Sequence, residues 1–153
     1  MRRNDMEHPA APGRDAERGR FISLLKAEGR HNVLEVDAGQ GLDGVQFVRA
    51  GIHYTGVDPS EENVHLARAR DLDVTVADAR DLPFADGTFS SAWTTSTLLH
   101  SPGTDIDAVL RELVRVTAPG APIAVVLSSG GDDDPARTPH HHFLLLRTPS
   151  SPT

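Results

Sequence analysis

Val33-Leu34-Glu35-Val36 runs straight into the turn Asp37-Ala38-Gly39-Gln40-Gly41, and a second apolar stretch, Tyr54-Thr55-Gly56-Val57, ends at Asp58. An apolar run followed by a glycine-rich turn is typical of a buried strand that leads into a helix. The second stretch predicts a parallel strand that ends on a carboxylate. Together they predict a βαβ unit, whose ligand cleft opens at the carboxyl ends of its strands.

Two features of this unit indicate a nucleoside or nucleotide ligand. Gly39 and Gly41 have no Cβ, so the backbone can approach a ligand closely. Asp58, at the tip of the second predicted strand, could accept hydrogen bonds from both hydroxyls of a ribose. Glycine is common in any tight strand-to-helix turn, so the glycine pair alone is weakly specific. The carboxylate at the end of the next strand is what favours a nucleotide site.

Length and composition limit the possible functions. The 153 residues suffice for one domain with a hydrophobic core. The formal net charge of -7 argues against nucleic acid as a partner, because phosphate binding requires a basic surface. The chain has no cysteine, which excludes disulfides and a thiolate nucleophile. Its apolar runs are too short to span a membrane and its N-terminus lacks a signal-peptide core, so we expect no membrane association and a cytoplasmic location.

Hydrophobic periodicity predicts helices that alternate with strands along the chain. The predicted helices lie at about 15–28, 42–50, 61–70 behind the N-cap Ser60, and in the stretch behind Thr104-Asp105. The predicted strands are 32–36, 53–57, 74–77, 91–95 and 123–127. This alternation predicts an α/β fold with a doubly wound, mostly parallel sheet between two helical layers, a Rossmann-like three-layer arrangement.

Composition also divides the chain into three parts. Residues 1–19 are predicted to be a flexible arm and residues 20–128 the globular core. Residues 129–153 are expected to form an irregular tail in which His140-His141-His142 precedes the apolar run Phe143–Leu146. Neighbouring residues in an extended run point to opposite faces, so the three histidines cannot all bind one ion. We therefore expect no metal site.

Several motifs occur in an order and spacing that resembles one enzyme family. Besides the glycine turn, they are Ala77-Asp78-Ala79, Asp81-Leu82-Pro83-Phe84, Asp86-Gly87-Thr88-Phe89, Leu98-Leu99-His100, Leu110–Val116 and Pro119-Gly120. Over about residues 21–128 the chain resembles class I S-adenosylmethionine-dependent methyltransferases of the small-molecule kind, related to the ubiquinone and menaquinone methylases. The resemblance implies S-adenosyl-L-methionine as cofactor and methyl transfer to an O, N or C nucleophile of a small-molecule acceptor.

The resemblance also implies a role for each matching position. Gly39 and Gly41 would line the methionine and ribose part of the cofactor, and Asp58 would hold the ribose hydroxyls. Asp78 would bind the adenine amino group, and Ala79 would offer a backbone N–H. The other implied cofactor positions lie in the first strand and its turn, beside Asp58, and at the end of the fourth strand: Glu35, Asp37, Pro59, Thr94 and Thr95.

His100 is the candidate catalytic base, with a buried structural histidine as an equal alternative. Methyl transfer from a sulfonium often needs only positioning, and a base when the nucleophile carries a proton. Two other functions compete. The turn also matches the G-x-G-x-x-G pattern of NAD-binding domains, although the Leu-Pro-Phe loop is foreign to that pattern and no chain is left for a substrate domain. The second is a non-catalytic module that binds the cofactor weakly or another protein.

Three departures from the family pattern open alternatives. Asp37 stands where the family's glycine turn begins, and it would either crowd the turn and repel the cofactor carboxylate or cap the next helix. Ser90 replaces an aspartate that usually follows the phenylalanine of the fourth strand. Of the 153 residues only 25 follow Ser128, too few for the helix and two strands that complete the family fold. We therefore expect a C-terminally truncated methyltransferase.

The fifth predicted strand would then have an uncovered edge. An exposed apolar edge is a template for another strand. Phe143–Leu146 could fold back onto it, or two copies could pair edge to edge as a homodimer. The short distance between Pro139 and Pro149 slightly favours the homodimer.

Overall fold

The computed structural model of this chain describes residues 12–96, 105–129 and 140–150. In chain order the helices and strands are α1 (Pro12–Ala27), β1 (Asn32–Val36), α2 (Leu42–Arg49), β2 (His53–Asp58), α3 (Glu61–Arg68), β3 (Val74–Val76), β4 (Ala92–Ser96), α4 (Ile106–Val116), β5 (Pro122–Ser129) and β6 (His140–Arg147).

Within these ranges six strands form one sheet in the order β3-β2-β1-β4-β5-β6. Strands β1 to β5 run parallel, and β6 pairs antiparallel with β5. The chain steps outward from β1 to β3 and then returns to place β4 on the other side of β1. A cleft at the carboxyl ends of the strands opens where the strand order reverses in this way. The predicted Rossmann-like α/β fold is confirmed.

The sheet separates two hydrophobic layers, because successive side chains of a strand point to opposite faces. One layer packs α1, α2 and α3 against the sheet through Phe21, Leu25, Phe47, Val64, Ala67, Val33, Tyr54 and Trp93. The other packs α4 and the segment that precedes β4 through Val109, Leu113, Val116, Leu34, Val36, Ile123, Leu82 and Phe89. Trp93, fully buried, packs on Phe21 and Phe47 with ring centroids 5.3 and 5.7 Å away.

The helices follow the sequence pattern closely and differ mainly at their ends. Helix α1 begins at Pro12 rather than near residue 15, so part of the predicted arm belongs to this helix. Ser60 caps α3 by accepting a hydrogen bond from the Asn63 backbone N–H (3.2 Å). Asp105 caps α4 in the same way through the Ala108 N–H (3.0 Å). None of the helices in the described residues is long and apolar enough to cross a membrane.

Strand β6 takes the place that the sequence left open beside β5. All eight residues pair, from Pro122 opposite Arg147 to Ser129 opposite His140. The strand is longer than the apolar run predicted because its flanking residues continue the ladder. Phe143 packs toward Trp93 (6.3 Å between ring centroids), and Arg147 forms an ion pair with Glu28 next to α1. The fold-back arrangement is therefore the one adopted, and a homodimer through the edge of β5 has no free edge to use.

Candidate active site

The glycine turn between β1 and α2 forms the floor of the candidate site. Three of its residues have positive φ: Asp37 (61°), Gly39 (60°) and Gly41 (92°). At Gly41 the positive φ favours glycine, and a Cβ there would lie 2.4 Å from the end of the Leu72 side chain, which would have to shift. At Gly39 a Cβ would meet no atom within 4 Å. Gly39 therefore borders open space at the carboxyl edge of the sheet, as a ligand-facing position should.

Asp58 holds this turn against the start of α3. Its Oδ1 accepts a hydrogen bond from the Gly39 backbone N–H (3.0 Å). Its Oδ2 accepts from the Ser60 N–H (3.0 Å) and from the Asn63 side-chain amide (3.1 Å). A carboxylate offers about four acceptor positions, so about one remains for a ligand. The sequence predicted Asp58 to be a ligand-binding residue, and it gave no indication that the same carboxylate shapes the turn.

Asp37 is a half-buried carboxyl in a left-handed backbone conformation. Burial raises its pKa, and the neighbouring carboxylates of Asp58 and Asp78 raise it further. No donor in the described parts of the chain bonds to its carboxyl group. Helix α2 has Gly41 as N-cap and no side-chain cap bond. The prediction that Asp37 caps this helix is therefore wrong, and the crowding alternative remains.

Asp78 follows β3 at the same edge of the sheet, and Arg80 holds its carboxylate. The guanidinium donates from Nε to Oδ1 (3.0 Å) and from Nη2 to Oδ2 (2.6 Å). These hydrogen bonds lower the pKa of Asp78 to about 2. Ala79, between the two residues, is buried. Sequence reasoning missed the role of Arg80. The available signal was the spacing of Asp78 and Arg80, an acid and a base two residues apart in a loop.

The end of β4 contributes one structural threonine and one at the cleft. The buried Thr94 donates its hydroxyl to the Val36 carbonyl (2.9 Å), which ties β4 to β1 beneath the turn. Thr95 is half-buried one residue closer to the carboxyl end. Pro59 is exposed beside Asp58. His100, the candidate base, lies outside the described residues.

Glu35 lies apart from the cleft, on the face of the sheet that α1, α2 and α3 cover. It is fully buried and accepts a hydrogen bond from the Tyr54 hydroxyl. Burial, and next the nearby Asp43, raise the pKa of Glu35 well above its ordinary value. The structure therefore places this predicted cofactor residue under the turn rather than beside the ligand space.

Asp43, in the first turn of α2, is the centre of a buried polar network that sequence reasoning missed. It accepts hydrogen bonds from Arg14 (2.6 Å) and Arg18 (2.6 Å) of α1 and from the indole N–H of Trp93 (3.0 Å). Two arginines four residues apart place their cations on one helical face, which was the available signal. The network binds α1 to the helix that follows the glycine turn.

Comparison with known proteins identifies the family. The sequence profile of the methyltransferase domain matches residues 33–120, more than half of the chain. The chain belongs to the methyltransferase domain family. Similar methyltransferases include an O-methyltransferase of Aspergillus nomiae, 30% identical over 71% of this chain and 50% of that protein. A demethylmenaquinone methyltransferase of Corynebacterium urealyticum is 33% identical over 61% of this chain and 40% of that protein. The chain thus spans half or less of the length of these relatives.

Solved structures agree with this assignment at the level of the fold. The YcgJ protein of Bacillus subtilis superposes with a TM-score of 0.66 at 23% identity, over 78% of this chain and 53% of that one. With the family match, the fold makes this chain a class I S-adenosylmethionine-dependent methyltransferase domain, with S-adenosylmethionine as the cofactor. The resemblance found in the sequence is confirmed.

The residues at the carboxyl edge fit that cofactor chemically. Asp37, Asp58 and Asp78 are close enough that the other two raise the pKa of Asp37. Such a concentration of negative charge favours a cationic ligand, and a sulfonium is a fixed cation. The remaining acceptor capacity of Asp58 suits a hydroxyl donor, and the open space at Gly39 accommodates a ligand near the backbone.

Proposed function

We propose that this chain carries out S-adenosylmethionine-dependent methyl transfer to an O, N or C nucleophile of a small molecule. The observation that carries the proposal is the coupling of Asp58 to Gly39: one carboxylate shapes the glycine turn and keeps acceptor capacity at the carboxyl edge. A turn built in this way supports a ribose-containing ligand rather than a purely structural bend.

The proposed binding residues divide the cofactor between three strand ends. The Gly39–Gly41 turn would border the methionine part, and the remaining acceptor position of Asp58 would take a hydrogen bond from a ribose hydroxyl. Asp78 would accept from the adenine amino group, sharing its carboxylate with Arg80. The backbone N–H of Ala79 would complete the adenine contacts. The carboxylates of Asp37 and Asp58 place negative charge at this edge of the sheet, which supports binding of the sulfonium.

When bound, the cofactor supplies an electrophilic methyl group. The chain's own contribution would be to hold the acceptor in line with that methyl group and to exclude water, which can account for a large share of the rate. Thr95, half-buried at the end of β4, would face the reacting groups. His100 is proposed as the base for acceptors that lose a proton.

A second candidate, a cofactor-binding module without catalysis, is favoured by one observation. The carboxylate of Asp78 already has a guanidinium partner in the structure. A ligand that must share or displace this ion pair binds less tightly than one that meets a free carboxylate. Weak binding without turnover would follow.

Turnover with a panel of acceptors separates the two candidates. The purified chain is incubated with S-adenosylmethionine and representative phenols, amines and enols, and S-adenosylhomocysteine is quantified. Methyl transfer predicts acceptor-dependent product, lost in Asp58→Asn and kept in Asp73→Asn, an exposed acid at the opposite end of β3. Cofactor binding without product for any acceptor class, with the Asp58→Asn variant binding less tightly, would favour the non-catalytic module instead.

A further inference from the structure

The two edges of the sheet differ in length and in the residues they expose. Strand β3 at one edge has three residues, Val74–Val76. Strand β6 at the other edge has eight, and no other strand of the described residues pairs with its outer side. Short edge strands resist pairing with another chain, whereas long apolar ones favour it. The edge of β6 is therefore the better template for a partner strand.

The backbone register determines which N–H and C=O groups of β6 point away from β5. Thr148 and Ala121, just beyond the paired strands, exchange hydrogen bonds: the Thr148 N–H donates to the Ala121 carbonyl (3.1 Å), and the Ala121 N–H donates to the Thr148 hydroxyl (2.9 Å). In an antiparallel ladder the inward-bonding residues alternate. Phe143, Leu145 and Arg147 therefore direct their N–H and C=O groups away from β5. None of these residues is proline, so each offers both a donor and an acceptor.

Exposed leucines lie on both faces of β6. Leu144 and Leu146 are opposite Val125 and Ile123, whose side chains belong to the layer under α4. Leu145 is opposite Ala124, which belongs to the other layer. The three leucines are 45%, 44% and 41% exposed in sequence order from Leu144. A helix that docked on one face would leave the leucine of the other face in water, whereas an added strand contacts both.

We propose that the outer edge of β6 is a homodimer interface in which β6 of a second copy pairs antiparallel about a twofold axis at Leu145. In this register Leu145 lies opposite its own copy, and Leu144 lies opposite Leu146 of the second copy. The outward N–H and C=O groups at 143, 145 and 147 then bond across the axis. A twofold arrangement needs only one self-complementary surface and closes without forming a fibre.

The charge of the strand supports a second copy as the occupant. The chain carries a net charge of -7, but residues 140–147 contain no acidic residue. Two copies of β6 can therefore pair without carboxylates facing each other along the strand. Arg147 keeps its ion pair with Glu28 of its own copy, on the side of the strand where α1 lies.

Sedimentation across a wide range of protein concentration tests the interface. We expect a concentration-dependent dimer that Leu145→Lys converts to a monomer. The matched control is Val76→Lys, which introduces the same charge at a 44% exposed residue of the other edge strand and should leave the dimer intact. Circular dichroism checks that both variants are folded. A monomer at every concentration, or a dimer dissociated by Val76→Lys alone, would overturn the proposal.

Oxidative cross-linking tests the register with milder substitutions. The chain has no cysteine, so a single introduced cysteine reports on one position. In variants Phe143→Cys, Leu144→Cys, Leu145→Cys and Leu146→Cys we expect the highest cross-linked fraction at residue 145. A maximum at any other position would refute the twofold axis at Leu145.

Discussion

Asp37 shows at the scale of one residue how a departure from a family pattern acts physically. A non-glycine residue with positive φ is strained by about 1–2 kcal/mol, and Asp37 has φ of 61°. Asp71 shares this conformation (φ 65°) in an exposed turn at the opposite end of β3. We expect Asp37→Gly and Asp71→Gly each to raise the free energy of unfolding by about 1 kcal/mol. Urea denaturation measures this.

The substitutions Asp37→Gly and Asp71→Gly also distinguish the effect of backbone strain from the effect of charge on ligand binding. Because Asp37 adds to the repulsion among the carboxylates, and would repel the carboxylate of the ligand, we expect Asp37→Gly alone to tighten S-adenosylhomocysteine binding. Asp71→Gly is the control for the conformational effect and should leave affinity unchanged. Weaker binding by Asp37→Gly would mean that Asp37 is a direct ligand.

The sequence identified most of the residues at the carboxyl edge and missed what holds them. Glycine turns and strand-terminal acids are local patterns, so Gly39, Asp58 and Asp78 could be recognised. The ion pair of Arg80 with Asp78 and the hydrogen bond from Thr94 to Val36 depend on loop conformation and on strand pairing. Neither is encoded in a short pattern. Glu35 matched the pattern, but its side chain faces the buried layer.

Among the elements, α1 is attached to α2 through charge. Asp43 is fully buried with two arginine partners and one indole partner. Removing one partner of a buried ion pair leaves an uncompensated charge and typically costs 3–5 kcal/mol. We expect Asp43→Ala to lower the free energy of unfolding by about that amount, measured by urea denaturation. Asp107→Ala, an exposed acid in the first turn of α4, should change it by about 0.5 kcal/mol or less. Similar losses in both variants would contradict a structural role for the network.

Glu35 makes the stability of β1 and its neighbours depend on pH. Its pKa in the folded chain is well above the ordinary 4.5, so the folded state retains a proton that the unfolded chain has lost. The free energy of unfolding should therefore fall as pH rises above about 4.5. Glu35→Gln keeps an acceptor for Tyr54 and removes this titration. The free energy of unfolding of the variant, relative to that of the parent, should therefore increase from pH 5 to pH 8. The control is Glu62→Gln in the exposed first turn of α3. A difference that is constant with pH would show that Glu35 is ionised in the folded chain.

At this scale the strands and helices were predictable because their periodicities are local. The contacts between these elements were harder to predict from the sequence. Helix α1 was predicted at about residues 15–28 from hydrophobic periodicity, but its attachment to Asp43 depends on how α1 packs against α2, which no local pattern gives. Strand β6 was left as one of two alternatives, because four apolar residues between prolines mark only half of the eight that pair.

For the whole molecule, β6 is the strand that covers the edge of β5 within the described residues, and it also contacts the end of α1. Strand β6 pairs with β5 along its whole length. It also packs Phe143 toward Trp93 and places Arg147 in an ion pair with Glu28. We expect a chain that ends at Ser129 to melt at a temperature lower by about 5 °C or more. Leu144→Ser, at a half-exposed position of the same strand, is the control for a loss of apolar side chain without a loss of pairing. An unchanged melting temperature would mean that β6 has no structural role.

The central claim is that the glycine turn and Asp58 bind S-adenosylmethionine, and calorimetric titration with S-adenosylhomocysteine tests it most directly. We expect binding at one site per chain, no heat with NAD, and a loss in Asp58→Ala of about 1.5–3 kcal/mol, or about 10- to 150-fold in Kd. Asn63→Ala, which removes one donor to Asp58 and keeps the carboxylate, is the control for loosening of the turn and should lose much less. Tight binding of NAD instead, or equal affinity of Asp58→Ala and the parent chain, would contradict the account.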